Sequence, residues 1–204
     1  MNALDATRRS LHAVAEQLLA GPQYRASGTI RLRVTAVGFA TVAAPALTVT
    51  SSSLCAAGAR IALDGATVAA LATAVGIEPG AAAGLYADHS DVAPDEPLRV
   101  HAEAAAALFA ALRRGDAALR RFAPGRTPVL WPEHFDLSLS VDEVNYGVST
   151  GDGLVAEPYA YVGPWSPRTG EFWNAPFGAA RPLRALPGNA LHRFFAEGRA
   201  AAMG

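Results

Sequence analysis

The chain contains no lysine, so all 17 of its basic residues are arginine. Against 18 acids they leave a formal charge of −1 and a pI near 6.5, which removes any general attraction to nucleic-acid backbones or anionic lipid surfaces. Alanine is heavily used throughout, and GC-rich codon usage explains both biases. Arginine by itself therefore points to no anion site. Cysteine is also scarce: Cys55 stands alone, which excludes an intramolecular disulfide, a CxxC redox pair and a cysteine-rich zinc knuckle. Long apolar runs are missing too, because the alanine-rich stretches are cut by Asp, Glu, Arg, Gly or Pro before the roughly 18 residues that a membrane span needs. The first residues mix acids and paired arginines into an amphipathic pattern, unlike a secretory leader. The expectation is a soluble cytoplasmic protein in a reducing compartment, with no nucleic-acid or membrane partner.

With 51% hydrophobic and 17% charged residues over 204 positions, the composition is that of a globular domain able to bury roughly 70% of its unfolded surface. Leu4, Leu11, Val14, Leu18 and Leu19 recur at helical spacing, and Gly21-Pro22 reads as the stop of this first helix. From Thr29 the period shortens: Ile30, Leu32 and Val34 alternate with Arg31, Arg33 and Thr35, a strand that Gly38 bends or ends. Weaker strands follow at 46–50 and 59–63, the second closed by Asp64-Gly65, and residues 67–75 favour a helix. Residues 79–97 are aperiodic and rich in proline, the place to join two subdivisions, 1–78 and 98–204, of one domain spanning 1–204. A long helix is expected over 101–122, then strands at 129–141, 144–149, 157–163 and 170–173, and a last helix over 189–202 capped by Asn189. The fold class is α+β: antiparallel meander hairpins packed with three to four helices, an order compatible with two pseudo-symmetric halves.

Candidate chemistry concentrates after Val129. Read as one strand, Trp131 to Asp142 sends Phe135, Leu137, Leu139 and Val141 to the core and His134, Asp136, Ser138 and Ser140 to the other face. His134 and Asp136 then form a candidate general-base pair or two ligands of a divalent metal, with Glu157 as the nearest additional catalytic or metal-binding group. No other cofactor is indicated. By the same parity Glu157, Tyr159 and Tyr161 share a face, and Tyr146, Trp165 and Trp173 complete an unusual local concentration of large aromatics. Such a face suits a small organic ligand, a partner, or a second copy in a homodimer. Residues 147–153 are rich in glycine but lack phosphate-loop spacing and lysine. Ser138, Ser140 and Ser149 lie in no GxSxG elbow.

The segments LWPEHFDLSLS, YGVSTGDG and EPYAYVGPW, preceded by SLHAVAEQLL and VTAVGFAT, resemble a domain family of GC-rich bacteria with a W/F-x-x-x-FDLA element followed by a Tyr-Ala-Tyr strand. Ser138 stands where that pattern has alanine. The resemblance implies a shared fold over most of the chain, with Phe135, Asp136, Tyr159 and Tyr161 as signature positions. The family has no established activity, so no catalytic role is carried over.

Overall fold

The computed structural model describes residues 1–86 and 89–204; Ala87 and Asp88, inside the proline-rich stretch 79–97, lie outside the described residues. The chain forms two compact units, Met1–Ala110 with Leu130–Phe135, and Ala111–Val129 with Asp136–Gly204.

In the first unit, helix α1 (Ala3–Ala13) starts where the Asn2 side chain accepts from Asp5 N–H at 2.8 Å. The expected stop at Gly21-Pro22 is overturned: α1 passes into a π-helical segment (Val14–Ala20) and on into α2 (Gly21–Ser27). Three local facts explain why. The Gly21 N–H bonds Glu16 O, five residues back, which releases Gln17 O to accept from Gly80 N–H at 2.9 Å. Pro22 falls in the first turn of α2, where its missing N–H leaves no bond unmade. Gly21 is required because a Cβ there would come within 1.7 Å of Gly80 O. The run ends at Gly28, left-handed at φ 70°.

Strands β1 (Leu32–Val34), β2 (Gly38–Thr41), β3 (Leu47–Thr50), β4 (Ser53–Ala56), β5 (Ala59–Ala62) and β6 (Val129–Trp131) pair antiparallel in the order β6-β1-β2-β3-β4-β5. Gly38 opens β2, a strand the alternation did not reveal because all four of its residues are buried. Buried Gln23 ties the helix to this sheet: Nε2 donates to Thr29 O and Arg31 O, and Oε1 accepts from Val42 and Ala43 N–H. Helix α3 (Val68–Val75) runs from its Thr67 cap to left-handed Gly76, as expected. Phe39 centres the core, with Phe109 and Phe135 packed edge-on at 5.8 and 5.4 Å.

Helix α4 (Ala102–Phe122) enters the second unit at Ala111. There β7 (Asp136–Val141), β8 (Val144–Ser149), β9 (Tyr159–Pro164) and β10 (Ala179–Pro182) form an antiparallel meander in chain order, followed by α5 (Ala190–Met203). Asp142 and Glu143, at φ 53° and 60°, make the tight β7–β8 turn. Two expectations fail. Residues 129–141 are not one strand: β6 ends at Trp131, residues 132–135 turn with Phe135 at φ 49°, and β7 begins at Asp136. Residues 170–173 form a turn closed by Trp173 N–H on Gly170 O, and the last strand lies further on.

Register sorts the second unit's side chains. Leu137, Val148 and Ala160 align in one row and Leu139, Tyr146 and Val162 in another. This apolar face receives α4 and α5 through glycines: a Cβ at Gly115 would meet Val148 at 2.7 Å, and one at Gly198 would meet Val162 at 2.7 Å. Helices packed on antiparallel meanders make the chain α+β. No helix among the described residues is long and apolar enough to cross a membrane.

Candidate functional site

The other face of the second unit's sheet carries three cross-strand rows: Asp136, Ser149 and Tyr159; Ser138, Gly147 and Tyr161; Ser140, Asn145 and Gly163. Its two tyrosines are captured by carboxylates. The Tyr161 hydroxyl donates to Asp136 Oδ2, two strands away, and the Tyr159 hydroxyl donates to Asp152 Oδ2 at 2.5 Å. The first bond exists because Gly147 lies between: any Cβ there would sit 2.5 Å from the Tyr161 ring. Burial, then the Asp136 charge, drives the Tyr161 hydroxyl well above its ordinary pKa; burial and the bond to Asp152 do the same for Tyr159. Both phenols therefore remain donors. Phe177 covers them, stacked on Tyr159 and edge-on to Tyr161 at 6.5 and 6.2 Å.

Towards the β7–β8 turn the face opens. Asn145 Oδ1 accepts from Ser140 Oγ at 2.7 Å and from Trp165 Nε1 at 3.2 Å. Gly163 adds no side chain between Asn145 and the Phe177 backbone. The result is a shelf with a polar floor, bounded by Trp165, 64% exposed, and Phe177, 40% exposed.

Among the nominated residues, Asp136, Tyr159 and Tyr161 share this face and Trp165 stands at its end. Tyr146 does not join them. It packs on the helix side against Phe122 and Phe195, where burial pushes its hydroxyl up to about 12. Trp173 also lies apart, edge-on to Phe172, which stacks on Phe194 of α5. Glu157 precedes β9 and pairs with Arg184 Nε at 2.9 Å from both carboxylate oxygens, a surface ion pair. His134 is exposed in the turn of the first unit, beyond the point where the alternation holds, so the parity that joined it to Asp136 fails. Trp131 lies under the Arg31 guanidinium at 6.0 Å. No group of three or more His, Cys, Asp or Glu side chains suited to a metal occurs among the described residues.

The sequence reading missed Asp152, Asn145, Gly147 and Phe177. Asp152 and Gly147 were read as parts of a turn, and cross-strand register, absent from a single strand's pattern, gives all four their roles. A second polar cluster, Glu16 with His89 and Ser90 in the first unit, was also missed. Comparison with family models, with curated proteins and with solved structures yields no match to this chain.

Proposed function

We propose that the protein binds a small organic ligand on the shelf between Trp165 and Phe177, with Ser140 and Asn145 fixing its polar edge. The carrying observation is that Trp165 is mostly exposed yet held in place by Asn145, so a large apolar surface is presented without the freedom of an ordinary surface side chain. Asp136, Ser138, Ser149, Tyr159 and Tyr161 support the shelf as a satisfied buried network and have their hydrogen-bonding groups turned inward.

Benzoate, nicotinamide and benzamidine span an anion, a neutral amide and a cation of suitable size. Titrated against tryptophan fluorescence, at least one is expected to shift the emission saturably, and Trp165→Ala to remove the response. A flat response to all three, with no organic mass retained in native mass spectrometry, sinks the proposal. A second reading has its own support: Leu154, 55% exposed, joins Trp165 and Phe177 as exposed apolar groups of this unit, which suits a homodimer contact. An unliganded dimer that Trp165→Ala converts to monomer establishes that reading instead.

A further inference from the structure

The most deeply buried hydrogen-bonded ion pair of the first unit lies in the π-helical segment. The Glu16 side chain is only 1% exposed. Its Oε1 lies 2.6 Å from His89 Nδ1, and its Oε2 accepts from Ser90 N–H at 2.9 Å and Ser90 Oγ at 2.6 Å. Gln17, the next residue, fixes the same stretch by donating to Val92 O at 2.9 Å. A carboxylate filled by donors on both oxygens leaves the proton of the His89 contact on Nδ1 and a lone pair on Nε2.

Exposure is divided between the partners in a telling way. The His89 side chain is 43% exposed while its carboxylate is sealed, so the imidazole meets solvent with its orientation imposed from inside. This is the arrangement of a positioned general base. Tyr86 packs against the imidazole, ring centroids 5.1 Å apart, and its buried hydroxyl makes no hydrogen bond of normal geometry among the described residues. Burial, then the Glu16 charge, holds that phenol protonated. The Glu133 carboxylate also acts on Tyr86, and nearby Arg9 is occupied by Asp91 and Glu96. With acids around it and its nearest guanidinium engaged, the site disfavours anionic substrates.

We propose that His89, positioned by Glu16, is a general base acting on an uncharged carbon acid. Nε2 takes the proton, the C–H electron pair stays on the substrate and expels a leaving group or is delocalised, and the imidazolium returns its proton to water. Glu16 is the positioning residue. This site is independent of the Trp165 shelf.

The probe is 5-nitrobenzisoxazole, neutral and planar. Removal of its C3 proton forms the nitrile, breaks the N–O bond and releases a coloured phenolate, with no co-reactant. The native protein is expected to exceed free imidazole at equal concentration by about tenfold or more. His89→Ala, a change at a half-exposed position, is expected to remove the excess. Long-range 1H–15N spectra read the proton position: Nδ1–H in the native protein and in Glu16→Gln, whose carbonyl still accepts, but Nε2–H in Glu16→Leu. A native rate no higher than that of His89→Ala overturns the proposal whatever the tautomer. An Nε2–H imidazole in the native protein overturns the role of Glu16.

Discussion

The Tyr161 hydroxyl crosses an intervening strand over Gly147 to reach Asp136. Tyr161→Phe leaves a buried carboxylate short of a donor and is expected to cost about 1.5–3 kcal/mol in urea unfolding. Gly147→Ala pushes the ring off its path and should cost at least as much. Because both changes break one bond, the double variant is expected to lose clearly less than the two losses added together. Additive losses would show that the Tyr161 ring accommodates the new methyl group without leaving Asp136.

Gly115 and Gly198 reverse the usual rule for helical glycine. Alanine in a helix interior ordinarily gains about 1 kcal/mol over glycine. Here the added methyl group meets Val148 or Val162 at 2.7 Å, and overpacking of that kind costs about 1–3 kcal/mol. Gly115→Ala and Gly198→Ala are each expected to lower the urea midpoint, and pairing Gly115→Ala with Val148→Ala should restore part of the loss. A midpoint that rises in the single variants counts against this packing.

Gln23→Leu tests the clamp on the first sheet. The substitution keeps the volume and strands two carbonyls and two N–H groups, with an expected loss of about 2–4 kcal/mol by thermal or urea unfolding. Gln23→Glu should also destabilise, since a carboxylate cannot donate to Thr29 O and Arg31 O.

Burial lowers the pKa of His12, which stacks on Phe135 at 6.2 Å; Glu16 and the Pro132 carbonyl oppose the shift, and His134 adds to it. Its folded value lies below the ordinary 6.5, so the folded state binds the proton less readily than the unfolded chain. The associated stability is complete above pH 6.5 and drains away as pH falls through the folded value. Unfolding midpoints are therefore expected to drop on acidification, and His12→Leu to flatten the decline. An identical slope in the variant would remove His12 as its source.

Much of the fold was legible because several elements carry their own punctuation. Thr67 and Gly76 bracket α3, and α4 and α5 show helical period along their whole length. Of the site, the shared face of Asp136, Tyr159 and Tyr161 followed from parity within β7 and β9. What parity could not supply was register between strands. It places Tyr146 on the helix side and Tyr161 opposite, although both lie in alternating segments of similar composition. The reading of His134 failed for a local reason, since positive φ at Phe135 breaks the alternation on which it depended. Glu16 was illegible in a different way: on ideal α spacing it falls outside the stripe of Leu11, Val14 and Leu18, whereas the π winding surrounds it.

A π turn holds one residue more than the α turn it replaces. Loss of a single codon between Val14 and Ala20 would thus let the helix regularise, rotating all that precedes the deletion by about 100° against all that follows. Arg9 would swing away from Asp91 and Glu96, and His12 from Phe135, while Gln23 kept its hold on the sheet. For this stretch, chain length is under tighter physical constraint than residue identity, and an insertion or deletion there would be felt across the first unit before most substitutions were.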